Sequence, residues 1–489
     1  MVYGFSPFGA MGLPVRVEVD IRRGLPGTDI VGLASSEVRE ARERVRVAIR
    51  NSGFEYPPER ILISLYPAQV PKIGAGFDLA IALAVLEQSG QVGLPGDVMA
   101  SGELSIQGDV IPVRGTLSAI LAAEELGVPH VVVARRAVRE LCVGEAAHRG
   151  LLVVETLTEI KRGGFSPPLI DTHTDRERET HSFDDIRGQP ALKWASAVAA
   201  AGFHNLLLVG PPGSGKTMAA RRLSALLPDL SDEHARVVAR VYSMRGLEGR
   251  LTGARPPVRM PHHSASMEGL LGGGKGHLPG EVSLAHLGVM ILDEATEFRP
   301  HVLQALREPV ERRSVTVSRA GHAEEFPAQF QLVLTSNLCP CGKLGRPESR
   351  CMCSDREVER YWRRLGSALL DRVDIRVRTY YRERSSDSPT HADLALMVRR
   401  AIDRQGRRTV GRPWRRNGLV PPEAIDRLLP LTQALTSLLG ERMKELGLSD
   451  RAASSVRSVA RTLADMDDRD RIGEEDILEA AALRSIGPE

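Results

Sequence analysis

The stretch Asn205–Leu227, NLLLVGPPGSGKTMAARRLSALL, decides the fold. Four apolar residues run into a turn that holds three glycines, and a helical pattern follows at once. The turn fits G-x-x-x-x-G-K-[ST]: Gly210, Gly215, Lys216 and Thr217 stand at the fixed positions, with Pro211, Pro212, Gly213 and Ser214 between them. Such an order serves a phosphate. Glycines let backbone N–H groups close on the anion, and the helix directs its positive end at it. Lys216 is expected to pair with the β- and γ-phosphates of a nucleotide, and Thr217 to hold Mg²⁺.

Downstream, GVMILDEATEF (288–298) reads as a buried strand that ends in Asp293 and Glu294. By itself a carboxylate pair at a strand end is an ordinary solvated terminus. Behind a phosphate loop, Asp293 reads as a Mg²⁺ ligand and Glu294 as the group that polarises the attacking water. The two motifs together imply ATP hydrolysis. QLVLTSN (331–337) is a further apolar run, and Asn337 at its end is, in isolation, a turn former.

The chain around these motifs has 489 residues, too long for one ordinary core, so two to four domains are expected. Its 65 basic and 62 acidic residues nearly cancel, so any nucleic-acid contact must come from local patches. The opening MVYGFSPFGAMGLPVRVEVD lacks the charge-then-apolar order of a signal peptide, and no apolar run approaches a membrane span. The expected location is the cytosol, with no membrane partner. An α/β organisation follows from three blocks. Residues 1–165 alternate β-like runs (VRVEVDI, RILISL, HVVVA, LLVVE) with helical ones, among them a helix with Val38, Ala41, Val45, Ala48 and Ile49 on one face. A polar linker at 166–182 leads to an ATPase core at 183–385, and a helical block fills 386–489.

Four of the five cysteines, Cys339, Cys341, Cys351 and Cys353, lie just beyond Asn337. Two C-x-C pairs supply enough thiolates for a tetrahedral Zn²⁺, although the spacing is not the usual C-x₂-C. A reducing cytosol disfavours disulfides, and packed cysteines do not cluster in a Gly/Pro/Arg-rich loop. The expectation is a structural zinc that braces the loop. Cys142 reads as a packed residue.

As a set, GPPGSGKT, PHHSASMEGLLGGG, PGEVSLAHLGVMILDE, SNLCPCG and LLDRVD resemble the ComM/YifB branch of the magnesium-chelatase-like AAA+ ATPases. GLPGTDIVGLASSEVREARERVRVAIRNSGFEYP resembles the N-terminal domain of that family, and the last block its helical lid, so the likeness covers nearly the whole chain. It implies a hexameric ring with ATP at the subunit interfaces. By that resemblance Asn337 matches sensor 1, Arg372 of LLDRVD the arginine finger offered to the neighbour, and Arg451 of SDRA the sensor 2 arginine. A guanidinium there stabilises charge on the transferred phosphoryl group. The plainer reading of Arg372 is a local ion pair with Asp371 or Asp374.

Two insertions also fit the family: a glycine-rich loop around Lys275, and ERRSVTVSRAGHAEEFPAQF, which reads as a hairpin with SVTVSR outward, AGHAE turning and FPAQF returning. In related rings such hairpins face the pore, where Lys275, Arg312, Arg313 and Arg319 are candidates to touch a DNA backbone; the alternative is a solvated charged hairpin. The N-terminal block is similar to the Lon-protease fold (ribosomal S5 domain 2-like) in VPKIGAGFDLAIALAVL and ASGELSIQGDVIPVRGTLSAILAAEELG. At the serine position stands Gly76, with Phe77 after it, and the lysine position falls at or near Leu117, so the Ser–Lys dyad is missing. Ser64 and Lys72 qualify by residue type alone.

The resemblance implies an ATP-driven motor on single-stranded or branched DNA, a branch-migration helicase for incoming DNA during natural transformation, with recombination proteins as further partners. The alternatives are a motor subunit for inserting Mg²⁺ into a porphyrin and a general remodelling ATPase.

Overall fold

A computed structural model describes residues 1–8, 12–138, 150–168, 182–247, 253–274, 278–319, 322–347, 349–380 and 388–485. Most of the polar linker, Cys142 and Lys275 lie outside these ranges. Among the described residues the chain builds two main sheets and a helical C-terminal block.

The first sheet is assembled from β1 (Val2–Ser6), β2 (Leu13–Arg22), β3 (Gly27–Val31), β4 (Arg60–Tyr66), β5 (Val98–Ser101), β6 (His130–Ala134) and β7 (Leu151–Val154). Their order is β3-β4-β2-β1-β5-β6-β7, with the β1–β2 and β2–β4 pairs antiparallel and the rest parallel. Alternation fixes the register: Val17 faces Leu65, Val19 faces Ile63 and Ile21 faces Ile61, so one face is apolar. Helix α1 (Ser36–Asn51) starts where the Ser35 hydroxyl accepts from the Val38 amide, and it buries the five apolar residues named above. Helix α2 (Asp78–Gln88) is buried from Asp78 to Leu86, which its near-continuous apolar sequence allows. Asp78 has no exposed side-chain surface, and Arg44 meets it with two hydrogen bonds of 2.8 and 3.0 Å. Burial pushes its pKa up while Arg44 opposes the shift.

Gly76 precedes α2. A Cβ there would lie 3.3 Å from Val113 Cγ2, so the position is tight for any side chain. Leu117 is buried in α3 (Thr116–Leu126), and the Lys72 ammonium, fully buried, donates to the Pro67 carbonyl. No amine–hydroxyl pair forms at these positions.

The second sheet is parallel throughout, as strands buried on both faces require. After α4 (Pro190–Gly202) come β8 (Leu206–Val209), α5 (Lys216–Arg222), α6 (Asp232–Arg245), β9 (Val258–Arg259), β10 (Val289–Leu292), α7 (Arg307–Arg312), β11 (Gln331–Ser336) and β12 (Ile375–Arg378). The order is β9-β10-β11-β8-β12. Every residue of β8, β10 and β11 is buried. The hairpin pairs Ser314–Arg319 with His322–Pro327 and buries Val315, Val317 and Phe326. Its return strand thus begins four residues before the FPAQF expected from sequence. Glu324 opposite Val317 and Glu325 opposite Thr316 keep the ladder paired although neither residue is apolar.

The C-terminal block contributes α8 (His391–Arg408), α9 (Gln433–Glu445), α10 (Asp450–Met466) and α11 (Glu474–Ser485). Apolar faces of α8 and α10 join α4 in one cluster with Ile291, Val333 and Ile375 of the sheet. Buried polar groups lock the joint: Gln405 donates to Ala201 O at 3.0 Å, and His204 shares a 2.8 Å hydrogen bond with Thr462. Asp465, fully buried, takes both Nη atoms of Arg408 at 3.0 and 2.6 Å.

The N-terminal sheet domain is docked on the second through α3 and α6. Gly115 N donates to Ser243 O at 3.0 Å, Ser118 N to Ser243 Oγ at 3.3 Å, and Arg236 pairs with Glu124 at 3.2 Å. Met244 of α6 is buried among Phe5, Ile120 and Val133 of the N-terminal domain.

Candidate nucleotide site

Sheet register assembles the site. Val209 of β8 lies beside Ser336 of β11, so Gly210 comes level with Asn337. Leu292 of β10 lies beside Leu334, so Asp293 comes level with Thr335. Three strand ends therefore deliver a loop, a carboxylate and an amide to one place, the C-terminal edge where open parallel sheets bind ligands.

The loop conformation demands its glycines. A Cβ on Gly210 would lie 2.1 Å from Thr379 Oγ1 and 2.5 Å from Thr379 O, and Gly213 and Gly215 have φ of +84° and +89°. Ser214 is tied to Thr379 through a 2.6 Å hydroxyl contact. At the start of α5 the Lys216 ammonium donates to Gly210 O at 2.7 Å, Pro211 O at 2.9 Å and Asn337 Oδ1 at 3.3 Å. Burial pushes its pKa down to about 8, while Asp293 and Glu294 pull the other way. Thr217 Oγ1 donates to Asp293 Oδ1 at 2.8 Å, and Thr335 Oγ1 donates to the same oxygen at 2.5 Å. A hydroxyl against a carboxylate beside a phosphate loop is an oxygen donor set that suits Mg²⁺. Glu294 is exposed and adopts a left-handed backbone with φ +51°, its amide donating to Thr335 Oγ1 at 2.9 Å. Such a conformation costs about 1–2 kcal/mol outside glycine. Thr335 is the residue that sequence reasoning missed; its signal was its place two residues before Asn337.

Arg372 and Arg451 are brought together, but on another carboxylate. Glu311 of α7 accepts from Arg372 Nη2 and, at 3.1 Å, from Arg451 Nη1. The local pair of Arg372 with Asp371 or Asp374 does not form; those carboxylates accept from Ser449 and Ser455 hydroxyls instead. A cavity of ≈ 610 Å³ opens beside Arg372, lined also by Arg307, Glu308, Glu311 and Arg312 and by none of the phosphate-loop residues.

The basic candidates separate. Arg312 is exposed and pairs with Glu308 at 3.1 Å. Arg313 is half-buried, and its guanidinium donates to Leu419 O at 2.6 Å, so it ties the core to the C-terminal block rather than facing solvent from the hairpin. Arg319 closes the outgoing strand, with its side chain outside the described residues, as is all of Lys275.

The four cysteine Sγ atoms lie within 4.8 Å of one another, with contacts of 3.4 Å for Cys339–Cys341 and 3.6 Å for Cys341–Cys351 and Cys339–Cys351. Disulfides need about 2.05 Å, whereas a tetrahedral S₄ shell at about 2.3 Å around zinc has edges of about 3.8 Å. The Leu344 amide donates to Cys339 Sγ at 3.4 Å. This loop leans on the phosphate loop: Arg346 donates to Pro212 O at 3.0 Å, and a Cβ on Gly342 would come 3.1 Å from Pro212.

Three family models match in succession: "Subunit ChlI of Mg-chelatase" over residues 17–137, "Magnesium chelatase, subunit ChlI" over 182–387, and its C-terminal part over 388–484. The chain is 36% identical to the uncharacterized protein YifB of Escherichia coli K12, over 99% of this chain and 97% of that one. It is 34% identical to the competence protein ComM of Haemophilus influenzae, with the same shares covered. The chain belongs to the ComM/YifB magnesium-chelatase-like family. Membership of this AAA+ family implies ATPase activity with ATP and Mg²⁺. Part of this family member's chain, 29% of it, is also 26% identical to the Lon protease of Clostridioides difficile, which agrees with the mixed α/β N-terminal domain. Among the described residues no helix is long and apolar enough to cross a membrane.

Proposed function

We propose that this chain is the subunit of a hexameric, ATP-hydrolysing ring motor that acts on single-stranded or branched DNA in the cytoplasm. The observation that carries the reading is the convergence of Lys216, Thr217, Asp293 and Asn337 on one strand edge, with the exposed Glu294 next in sequence to Asp293. In this reading residues Gly210–Thr217 wrap the phosphates, Thr217 and Asp293 hold Mg²⁺, Glu294 polarises the attacking water and Asn337 orients it. A Mg²⁺ held by Thr217 and Asp293 would, when bound, neutralise phosphate charge. Arg372 and Arg451 serve the neighbouring subunit's nucleotide; their shared position on Glu311, beside an open cavity that Arg372 lines, supports a role in trans. Cys339, Cys341, Cys351 and Cys353 hold a structural Zn²⁺, which the sulfur spacing supports.

DNA as the substrate rests on the likeness to a competence protein and on the exposed Arg312 at the base of the hairpin. Branch migration of incoming DNA, alongside recombination proteins, is the specific task proposed. A second reading, a motor that inserts Mg²⁺ into a porphyrin, draws on the description of the matching family models. One measurement separates them: the ATPase rate with no DNA and with single-stranded, duplex and four-way-junction DNA. Stimulation by the junction supports the DNA motor, and a rate indifferent to every DNA refutes it.

A further inference from the structure

A third charged group shares the face that carries Arg372 and Arg451, and no sequence motif singles it out. Glu311 sits near the end of α7 and divides its carboxylate: Oε2 accepts from Arg372 and Oε1 from Arg451 at 3.1 Å. The partners come from different parts of the chain, 61 and 140 residues further along. Arg372 follows the short helix Ser367–Leu370 of the core, and Arg451 opens α10 of the C-terminal block. Their environments differ. The Arg372 side chain is 11% exposed and also donates from Nη1 to Ala368 O at 2.7 Å. That of Arg451 is 41% exposed and, among the described residues, has Glu311 as its hydrogen-bond partner through Nη1 alone. Neighbouring acids are otherwise engaged: Glu308 pairs with Arg312, and Asp371 accepts from Ser449.

Two guanidinium groups repel each other unless an anion lies between them. A single carboxylate that accepts one N–H from each holds the two groups next to each other. It also ties a core residue to a lid residue, so the placement of one follows the other. We infer that Glu311 is a positioning residue that presents Arg372 and Arg451 as one unit to the nucleotide of the neighbouring subunit. The inference rests on the trans role proposed above for the two arginines. Glu311 acts through the guanidiniums, to which both its carboxylate oxygens are bonded.

The test uses full-length Glu311→Gln, Arg372→Ala and the double variant, assayed for steady-state ATP turnover at saturating DNA. A fluorescent nucleotide reports binding to each subunit's own loop, and mass photometry reports ring assembly. Glu311→Gln is expected to lower kcat about tenfold with KM within about twofold, the signature of an interaction used in the transition state. Own-loop affinity and ring population stay those of the parent. Because Glu311 acts through the arginines, its loss on top of Arg372→Ala costs less than it costs alone. If Arg372→Ala itself leaves turnover unchanged, the trans reading falls. If Arg372→Ala is slow while Glu311→Gln is as fast as the parent or faster, or the two losses multiply, Glu311 does not position the pair. A loss of ring population or of own-loop affinity in Glu311→Gln likewise overturns the inference, since Glu311 then serves folding or assembly.

Discussion

Nucleotide affinity should fall above pH 8 because one of the groups that bind phosphate is an amine that titrates there. Lys216 has a pKa of about 8, lowered by burial, and three oxygen acceptors hold its ammonium at the phosphate loop. A bound triphosphate adds negative charge beside the amine, which raises its pKa in the complex. Binding therefore favours the protonated form, and affinity is lost as pH rises through the free-site value. At pH 7 about nine-tenths of free sites carry the charge, and at pH 9 about one-tenth do, so the Kd for Mg-nucleotide rises about tenfold, or about 1.4 kcal/mol. Titration of a fluorescent ATP analogue from pH 7 to 9.5 at constant ionic strength measures it; phosphates, with a second pKa of about 6, stay ionised throughout. Lys216→Arg keeps its charge across the range, and its weaker binding should be flat with pH. A parent Kd that holds constant to pH 9.5, or an arginine variant with the same slope as the parent, refutes the reasoning.

Three further outcomes follow from the geometry. Glu294→Gln should cut ATP turnover by about 10²–10⁴-fold while the fluorescent analogue binds as before, since only water activation is lost; an unchanged rate would remove Glu294 from the chemistry. His204 is buried and His286 partly buried, each with a pKa lowered to about 4 by desolvation, so protons bind the unfolded chain first as pH falls below 6.5. Stability is complete above that pH and is lost on the way to 4, by about 2 kcal/mol per histidine at pH 5; urea unfolding at pH 7.5 and 5.0, repeated with His204→Gln, measures the difference. Native mass spectrometry should find one zinc per chain, lost in Cys351→Ser with a melting point lower by a few degrees; a parent chain free of metal and fully active retires the zinc site.

The parts of the site that a sequence displays are those where one short segment carries both chemistry and conformation. Gly210–Thr217 is such a segment, because the glycines that let the backbone turn adjoin the lysine and threonine. Asp293, Glu294 and Asn337 were legible as polar residues that end apolar runs, and the parallel register explains why they meet. Glu311 was not legible: it is one acid in a helix rich in charges, and its partners lie far along the chain. Arg313 looked like a hairpin cation because neighbouring sequence cannot reveal that Leu419 offers it a carbonyl. The return strand of the hairpin hid its start for a related reason, since paired glutamates break the apolar alternation without breaking the ladder.

The docking of α3 on α6 bears on how the N-terminal domain can be studied. Its removal is the natural way to ask what it contributes, with a shortened chain beginning near Ser182. That cut would strip the cover from Met244, worth about 1.5–3 kcal/mol in a buried side chain, and leave Ser243 without the amides of Gly115 and Ser118. The surviving ATPase would carry a fresh apolar wound on the helix that follows its nucleotide-binding segment. A sluggish or sticky remnant would then report on the wound and not on the missing domain. Charge reversal at Glu124 or Arg236, which perturbs the seam from its rim and leaves Met244 covered, asks the same question without injuring the ATPase core.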